Sequence, residues 1–370
     1  MSEVVNLGSI FNRFSSGKTI KSSDIFEVGE YPVFGGNGIR GFCDFYNFEG
    51  ECLIIGRQGA NCGNVRYFSG KAYMTEHAII GVANEYQNVG YIANKLSLMK
   101  LEQFQGQSAQ PGLSVQTLSE IPIQVPEKSV QDKVFSLLSI LDQKIALNNQ
   151  INEELEAMAK TLYDYWFVQF DFPDENGKPY KSSGGKMVYN DQLKREIPEG
   201  WGVKRLGELA IATGKRDANF GTENGQYDFW TTANEPIKAD EYSFEGKAIL
   251  IAGNGNFYIN FTEGKFEAYQ RTYVIQSADE NELLFMYPAC LQSIEKLRKG
   301  SNGSIIKYIT IGDVQNISQP HCPVIANMFV DIFRPIMNTI QKNKQQNQEL
   351  TQLRDWLLPM LMNGQVKVEE

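Results

Sequence analysis

The chain has 370 residues, 42% of them hydrophobic, with five cysteines and a formal net charge of −9. That is ample apolar material for two domains plus connecting elements, and no stretch approaches the roughly 18 apolar residues of a membrane span. Neither half is a basic block: residues 1–125 carry 9 basic and 11 acidic groups and residues 200–322 carry 12 and 15, so any contact with nucleic acid must use local clusters or a partner that brings the charge.

From the start, MSEVVNLGSI lacks a basic segment followed by an apolar run, which makes the cytoplasm the expected location. Residues 1–126 form a first domain of mixed strand and loop, because sixteen of the 33 glycines fall there and short apolar runs alternate with turn signals. GGNG at Gly35 to Gly38 is a turn cluster, and Gly50 to Phe68 reads as strand, Gly-rich loop, strand. That loop lacks the GK[ST] ending of a phosphate-binding loop. An odd number of cysteines without CxxC argues against a disulfide framework. Cys43, Cys52 and Cys62, considered with His77, have spacings of nine and ten, unlike zinc-ribbon ligands; they read as small apolar fillers in strands. Glu76 and His77 read as strand neighbours pointing to opposite faces.

Residues 127–168 contain no Gly and no Pro and read as one spacer helix, roughly 60 Å long at ~1.5 Å per residue. Val134, Leu137, Leu141, Ile151, Leu155, Met158, Leu162 and Tyr165 fall on two interleaved series of sevens, the pattern of a coiled-coil seam. A shift of 195 lays Phe329, Ile332, Ile336, Leu350, Leu353, Leu357 and Met360 on the same positions. Two seam positions are polar in both copies, Lys144 against Thr339 and Asn148 against Asn343. The expectation is that Asn148 and Asn343 face each other and fix the coil register, since a slipped pairing strands a buried amide. Pro335, in the second helix, is expected to kink or break it.

Residues 169–199 read as a polar linker returning the chain, with PDENGKPYKSSGGK at Pro173 to Lys186. Residues 200–322 then repeat the first domain and residues 323–370 repeat the helix with a C-terminal tail. Placing Gly246 on Gly50 puts ILIAGNGN on LIIGRQGA, and the same offset of 196 puts AYQRTYVI, from Ala268, on AYMTEHAI, from Ala72. The chain is an internal duplication with a period of about 195. The fold class that follows is α+β, two similar domains separated by a long antiparallel two-helix coil.

The segments IPIQVPEKSVQDKV, AKTLYDYWFVQFDFPDENGKPYKSSGG, IPEGWGVKRLGEL and LRDWLLPMLMNGQV resemble the specificity subunit of type I restriction-modification enzymes. The resemblance implies two target-recognition domains on a helical spacer, reading double-stranded DNA. The implied partners are methyltransferase subunits and, for cleavage, ATP-dependent endonuclease subunits. It implies no cofactor in this chain, with S-adenosylmethionine, ATP and Mg on those partners.

The residues agree with a non-catalytic role: there is no NPPY-like tetrad, Walker A or HExxH, and the only histidines, His77 and His321, fit no nucleophilic triad. Arg suits guanine and Asn or Gln suits adenine in the major groove, provided they sit on presented loops. In the first domain this selects Asn37, Arg40, Arg57, Gln58, Asn61, Arg66, Gln107 and Gln110 as DNA-binding candidates. In the second it selects Lys215, Arg216, Asn254, Asn256, Tyr258, Arg271, Asn302 and Lys307. Differing candidates at matched places, such as Arg57 against Gly253, predict a bipartite asymmetric target. Two other readings remain open on the residues: a subunit serving a fused restriction-methylation enzyme, and a protein-protein scaffold with a coiled-coil spacer.

Overall fold

The computed structural model describes residues 3–368 apart from 60, 107–111 and 302–306. The chain divides into two compact units, Met1–Asn148 with Gln345–Glu370, and Asn149–Lys344. The division falls inside both long helices, so each unit owns a strand-rich body and part of each helix.

Along the first unit run β1 (Glu3–Asn6), β2 (Phe11–Ser16), β3 (Tyr31–Gly35), β4 (Gly38–Cys43), β5 (Phe48–Gly56), β6 (Val65–Met74), β7 (Ala78–Ala83), α1 (Val89–Ser97), α2 (Val115–Ser119), β8 (Pro122–Val125) and the start of α3 (Lys128–Tyr163). Six strands make one sheet in the order β2-β7-β5-β6-β3-β4, and β1 pairs with β8. β5 is apolar on both faces because it separates two cores. Leu53 and Ile55 pack with Tyr91, Ile92, Val134 and Leu361, while Cys52 and Ile54 pack with Phe34, Phe48 and Met74. The period of two in the strand sends alternate side chains to each.

The second unit continues through β9 (Met187–Asn190), β10 (Arg195–Pro198), β11 (Gly202–Arg205), β12 (Ala210–Thr213), β13 (Tyr227–Trp230), β14 (Ile237–Ala239), β15 (Phe244–Glu245), β16 (Ala248–Ala252), β17 (Ile259–Thr262), β18 (Lys265–Ala268), β19 (Thr272–Gln276), α4 (Glu280–Gly300), α5 (Ile311–Gln315), β20 (Ser318–His321) and α6 (Pro323–Met362). Its sheets, β12-β19-β16-β17 and β14-β13-β18-β15, reproduce the first unit's strand order. Where the first unit has unbroken β5 and β6, the second has two short strands each. The corner is the same in both: Gly50 pairs with Gly70, Gly246 exchanges backbone hydrogen bonds with Gly264, and all four have φ between 98° and 133°, which only glycine adopts without strain.

The segment read as a linker is folded. Phe172 stacks on Tyr180 at 4.8 Å and lies 4.9 Å from Trp201, and β9 and β10 form a hairpin within it. Polar composition concealed two aromatics, Phe172 and Tyr180, that pack with each other and with Trp201 just beyond the segment.

Both spacer helices are present, and each unit contains an antiparallel helix contact. In the first, Arg354 pairs with Asp142 at 2.8 Å and Val134 and Leu138 share a core with Leu361 and Met362. In the second, Tyr163 and Trp166 contact Phe329 at ring distances of 6.2 and 6.1 Å. The seam differs from expectation in one of its two series. Val134, Leu141, Asn148, Leu155 and Leu162 stand as read, all buried or half-buried. The other series runs one residue later, through Leu138, Asn152, Ala159 and Trp166, all under 8% exposed, whereas Met158 is 60% exposed. The second helix obeys the same rule, with Phe333, Ile340 and Leu361 buried and Ile332 and Leu353 exposed. Choosing seam positions by apolarity favoured methionine and tyrosine over alanine and asparagine, although packing places the latter inside.

The asparagines are corrected accordingly. Asn148 donates to Asn347 at 2.8 Å and to Gln346 at 2.9 Å, and Asn343 donates to Asn152 at 2.9 Å. Neither is the other's partner. A shift of 195 carries Asn148 to Asn343 and Asn152 to Asn347, so each unit makes the same amide contact with the donor on the opposite helix. Pro335 neither ends nor divides α6, which is one helix of 40 residues. It lies on an exposed face, where water serves the carbonyl whose amide partner proline lacks.

Candidate nucleic-acid interface

In the first unit, five segments meet at one sheet end. The Arg57 N–H donates to the His77 carbonyl, the Leu113 N–H donates to the Arg57 carbonyl, and the Lys18 N–H donates to the Met74 carbonyl. Glycines allow the approach. A Cβ at Gly36 would stand 2.7 Å from the Gln58 carbonyl oxygen, and one at Gly56 would stand 2.3 Å from that of Gly36 and 2.7 Å from that of Asn61. The side chains lie over the same backbone. A Cβ at Gly38 would strike Arg66 Nη1 at 2.3 Å, one at Gly35 would strike Arg40 Cδ at 2.5 Å, and one at Gly59 would stand 3.4 Å from Asn37 Oδ1. Arg57 Nε donates to the Leu113 carbonyl at 3.3 Å, and Gln58 bridges to Gly112. The structure therefore gathers Asn37, Arg40, Arg57, Gln58, Asn61 and Arg66 into one donor-rich cluster. Gln107 and Gln110 lie outside the described residues.

The second unit builds the same end from other side chains. The Gly253 N–H donates to the Arg271 carbonyl, the Ile309 N–H to the Gly253 carbonyl, and the Lys215 N–H to the Ala268 carbonyl. A concavity is lined by Gly253, Gln270, Arg271, Tyr273 and Ile309. Asn254 bridges to Tyr308, as Gln58 does to Gly112, and its Oδ1 is buried without a hydrogen-bond partner among the described residues. Asn256 donates to the Tyr258 hydroxyl at 3.2 Å. Lys307 is exposed beside this loop, its carbonyl accepting from Gly255 at 3.0 Å. Arg216 is differently engaged: it pairs with Glu241 at 2.6 Å and with the fully buried Glu267 at 3.2 Å, and its guanidinium lies 4.2 Å from the Phe220 ring centre. Asn302 lies outside the described residues.

These bonds fix which positions correspond. The loop after β16 is two residues shorter than the loop after β5: the Ala252 N–H reaches Tyr258 whereas the Gly56 N–H reaches Asn64. Beyond it the offset is 194, not 196, so the register expected for AYQRTYVI is corrected, with Glu76 and His77 matching Gln270 and Arg271. Glu76 and His77 also sit in a turn between β6 and β7 and not in a strand. Released from strand alternation, Glu76 Oε1 lies 3.4 Å from His77 Nε2.

Sequence reasoning passed over Lys18, exposed at the lip of the cluster. The signal was present: Gly17-Lys18 and Gly214-Lys215 are the same dipeptide at matched places. A Cβ at either glycine would stand 2.1 Å from a carbonyl oxygen. It also passed over His77, Gln270 and the β13–β14 loop, where Thr231, Thr232 and Asn234 replace the glycine turn. Cys43, Cys52 and Cys62 fall in three separate apolar clusters, so they are not gathered around His77.

Two matched bodies, each presenting its own donor-rich loop cluster, define a duplicated recognition protein. A family model described as the type I restriction modification DNA specificity domain matches residues 1–157 and 198–352. The type I restriction enzyme MjaIX specificity subunit of Methanocaldococcus jannaschii is 30% identical over 320 residues, covering 78% of this chain and 71% of that protein. The EcoprrI specificity subunit of Escherichia coli is 40% identical over 151 residues, 40% of this chain and 37% of its own length. In fold, the chain is similar to the crystal structure of a type I restriction-modification system S subunit from M. genitalium, with a TM-score of 0.66 and 15% identity over 98% of this chain and 96% of that one. The chain belongs to the family of type I restriction-modification specificity subunits, which recognise DNA and are not catalytic. Among the described residues, no helix is long and apolar enough to cross a membrane.

Proposed function

We propose that each unit reads one half of a bipartite, asymmetric DNA target, and that the paired helices set the gap between the halves. The observation carrying this reading is that one backbone frame recurs with different side chains at its reading end: Arg57 against Gly253, His77 against Arg271, Gly35 to Asn37 against Thr231 to Asn234. Arg66 and Arg271 suit guanine, and Asn37, Gln58 and Asn254 suit adenine. The amide contacts of Asn148 and Asn343 support a fixed helix register. Half-site centres one to two helical turns apart, roughly 10 to 20 base pairs, put both reading ends on one face of the duplex.

The chemistry lies on partner subunits: methyltransferase subunits holding S-adenosylmethionine, and ATP-dependent endonuclease subunits using ATP and Mg, in the cytoplasm. Exposed apolar side chains on the helices support their docking. These include Ile140, Leu147 and Trp356 in the first unit and Met158 and Ile332 in the second, each at least 47% exposed, more than a helix pair alone requires. Sequencing the methylome of cells with and without this chain tests the reading. One bipartite motif that appears only with the chain upholds it, and an unchanged methylome with the partner subunits present refutes it.

A further inference from the structure

The reading ends diverged between the two units, yet one exposed cluster beside them did not. In the first unit Tyr31 and Tyr46 have ring centres 5.0 Å apart at 59°, and Lys71 Nζ lies 4.8 Å from the Tyr46 ring centre. In the second, Tyr227 and Tyr242 are 4.9 Å apart at 55°, and Lys265 Nζ lies 4.7 Å from the Tyr242 ring centre. The sequence carries it as Tyr-x-Phe-Glu-Gly at Tyr46 and Tyr242, then Gly-Lys at Gly70 and Gly264.

Packing explains part of this recurrence. Phe48 and Phe244 are buried at 6% and 8% exposure, and the four glycines turn the strand corner described above. Packing does not explain the rest, because Tyr46 and Tyr242 are 41% and 38% exposed and both lysines are exposed. Their position is also matched. Three residues along β6 from Lys71 is Met74, whose carbonyl accepts the Lys18 N–H, and three residues along β18 from Lys265 is Ala268, whose carbonyl accepts the Lys215 N–H. Three strand residues span about 10 Å. Each unit thus presents two lysines, one whose backbone joins the reading loops and one three residues along the strand from its acceptor; Lys215 Nζ lies 5.6 Å from the Phe244 ring centre, turned toward the same aromatic cluster as Lys265.

We propose that Lys71 on Tyr46 and Lys265 on Tyr242 are matched phosphate-contact sites, working with Lys18 and Lys215, which clamp the DNA backbone beside each reading end. The proposal rests on the DNA-reading function above. Base contacts diverge because the half-sites differ, whereas phosphates are the same in every half-site, so a backbone contact has no reason to diverge. The tyrosine ring holds the ammonium by cation–π attraction and leaves its other side for an anion. Glu49 lies opposite Lys71 across the strands at 3.7 Å, longer than a hydrogen bond. Glu245 lies opposite Lys265 in the same register. Glu49 holds Lys71 loosely, and in both units the carboxylate yields its lysine to a phosphate.

The test uses the chain assembled with its partner subunits, and measures affinity against salt on the cognate duplex and on one with both half-sites scrambled. K71Q and K265Q each weaken binding to both duplexes by the same factor. Each also reduces the loss of affinity between 50 and 200 mM salt by about 3.5-fold, the share of one neutralised phosphate. K71R and K265R restore both quantities, and E49Q and E245Q tighten binding. Unchanged melting temperature and wild-type subunit ratio confirm that each variant is assembled. The proposal is overturned if assembled K71Q and K265Q keep the wild-type salt dependence, if the loss is confined to the cognate duplex, or if the variants lose their partner subunits, which would make the cluster a protein-docking site. Failure of the wild-type assembly to prefer the cognate duplex would instead overturn the proposed function.

Discussion

The amide pair in the second unit offers a test of what a buried polar seam contact is worth. In N343L, the donor to Asn152 Oδ1 is removed, and Asn152 is only 6% exposed, so its acceptor is stranded away from water at a cost of about 1–3 kcal/mol. Asn343 is half-buried, so the new leucine recovers about 1 kcal/mol by burying roughly half its side chain. N343L should therefore be destabilising by about 1 kcal/mol. In N152L/N343L no amide is stranded and two apolar side chains are gained, so the double variant should match or exceed the parent. The double-mutant cycle then gives a coupling of about 1–3 kcal/mol. Urea unfolding supplies the free energies, and hydrogen exchange over residues 149–163 locates the effect in the helix. A coupling under ~0.5 kcal/mol would mean that the two amides are solvated and act independently, which would refute the seam argument. If register depends on this contact, the complex assembled on the double variant should also methylate sites whose gap differs from the parent's.

The isolated chain should bind DNA weakly and its complex tightly with a steeper salt dependence, checked by titration of each, because its net charge of −9 leaves few phosphates to neutralise unaided. Exchanging residues 1–126 for those of another family member should change one half-site in the methylome and leave the other intact. L147S and W356S, both at exposed positions, should shift the melting temperature little and weaken co-purification of partner subunits severalfold. Acid should loosen the second unit. Hydrogen bonds from Lys247 to Glu280 and from Lys204 to Glu282 hold both carboxyls below 4.5. Their contribution is thus present above that pH and lost as pH falls through the lower folded values. Thermal melts from pH 6 to 3 should show a shallower decline in E280Q/E282Q.

The duplication, the two helices and the strand-loop texture were legible because each leaves a long-range pattern in residue type. One seam series was legible for the same reason. The other was not, since Ala159 and Asn152 are buried by the geometry of the helix contact and not by their own apolarity. The matched register failed at the loop after β16, where two missing residues shift everything downstream without altering the flanking strand sequences enough to mark the gap. Single residues were read by type, which found most of the donor-rich cluster. That method missed Lys18, whose significance lies in a repeated dipeptide, and His77, which a turn aims differently from a strand. It also selected Arg216, whose guanidinium is held by two carboxylates that lie 25 and 51 residues further along the chain.

The unbroken β5 and β6 of the first unit and their divided counterparts in the second imply unequal mechanics. A continuous ten-residue β6 carries tension from one end of its sheet to the other, so a load at its reading loop reaches the strand corner without a hinge. In the second unit the same path crosses Glu263 and Gly264 between β17 and β18, and Gly264 has open space around it. Amide protons flanking that break should exchange faster than those at the Gly70 corner. Faster exchange there would make the strand corner of the second unit the more compliant of the two.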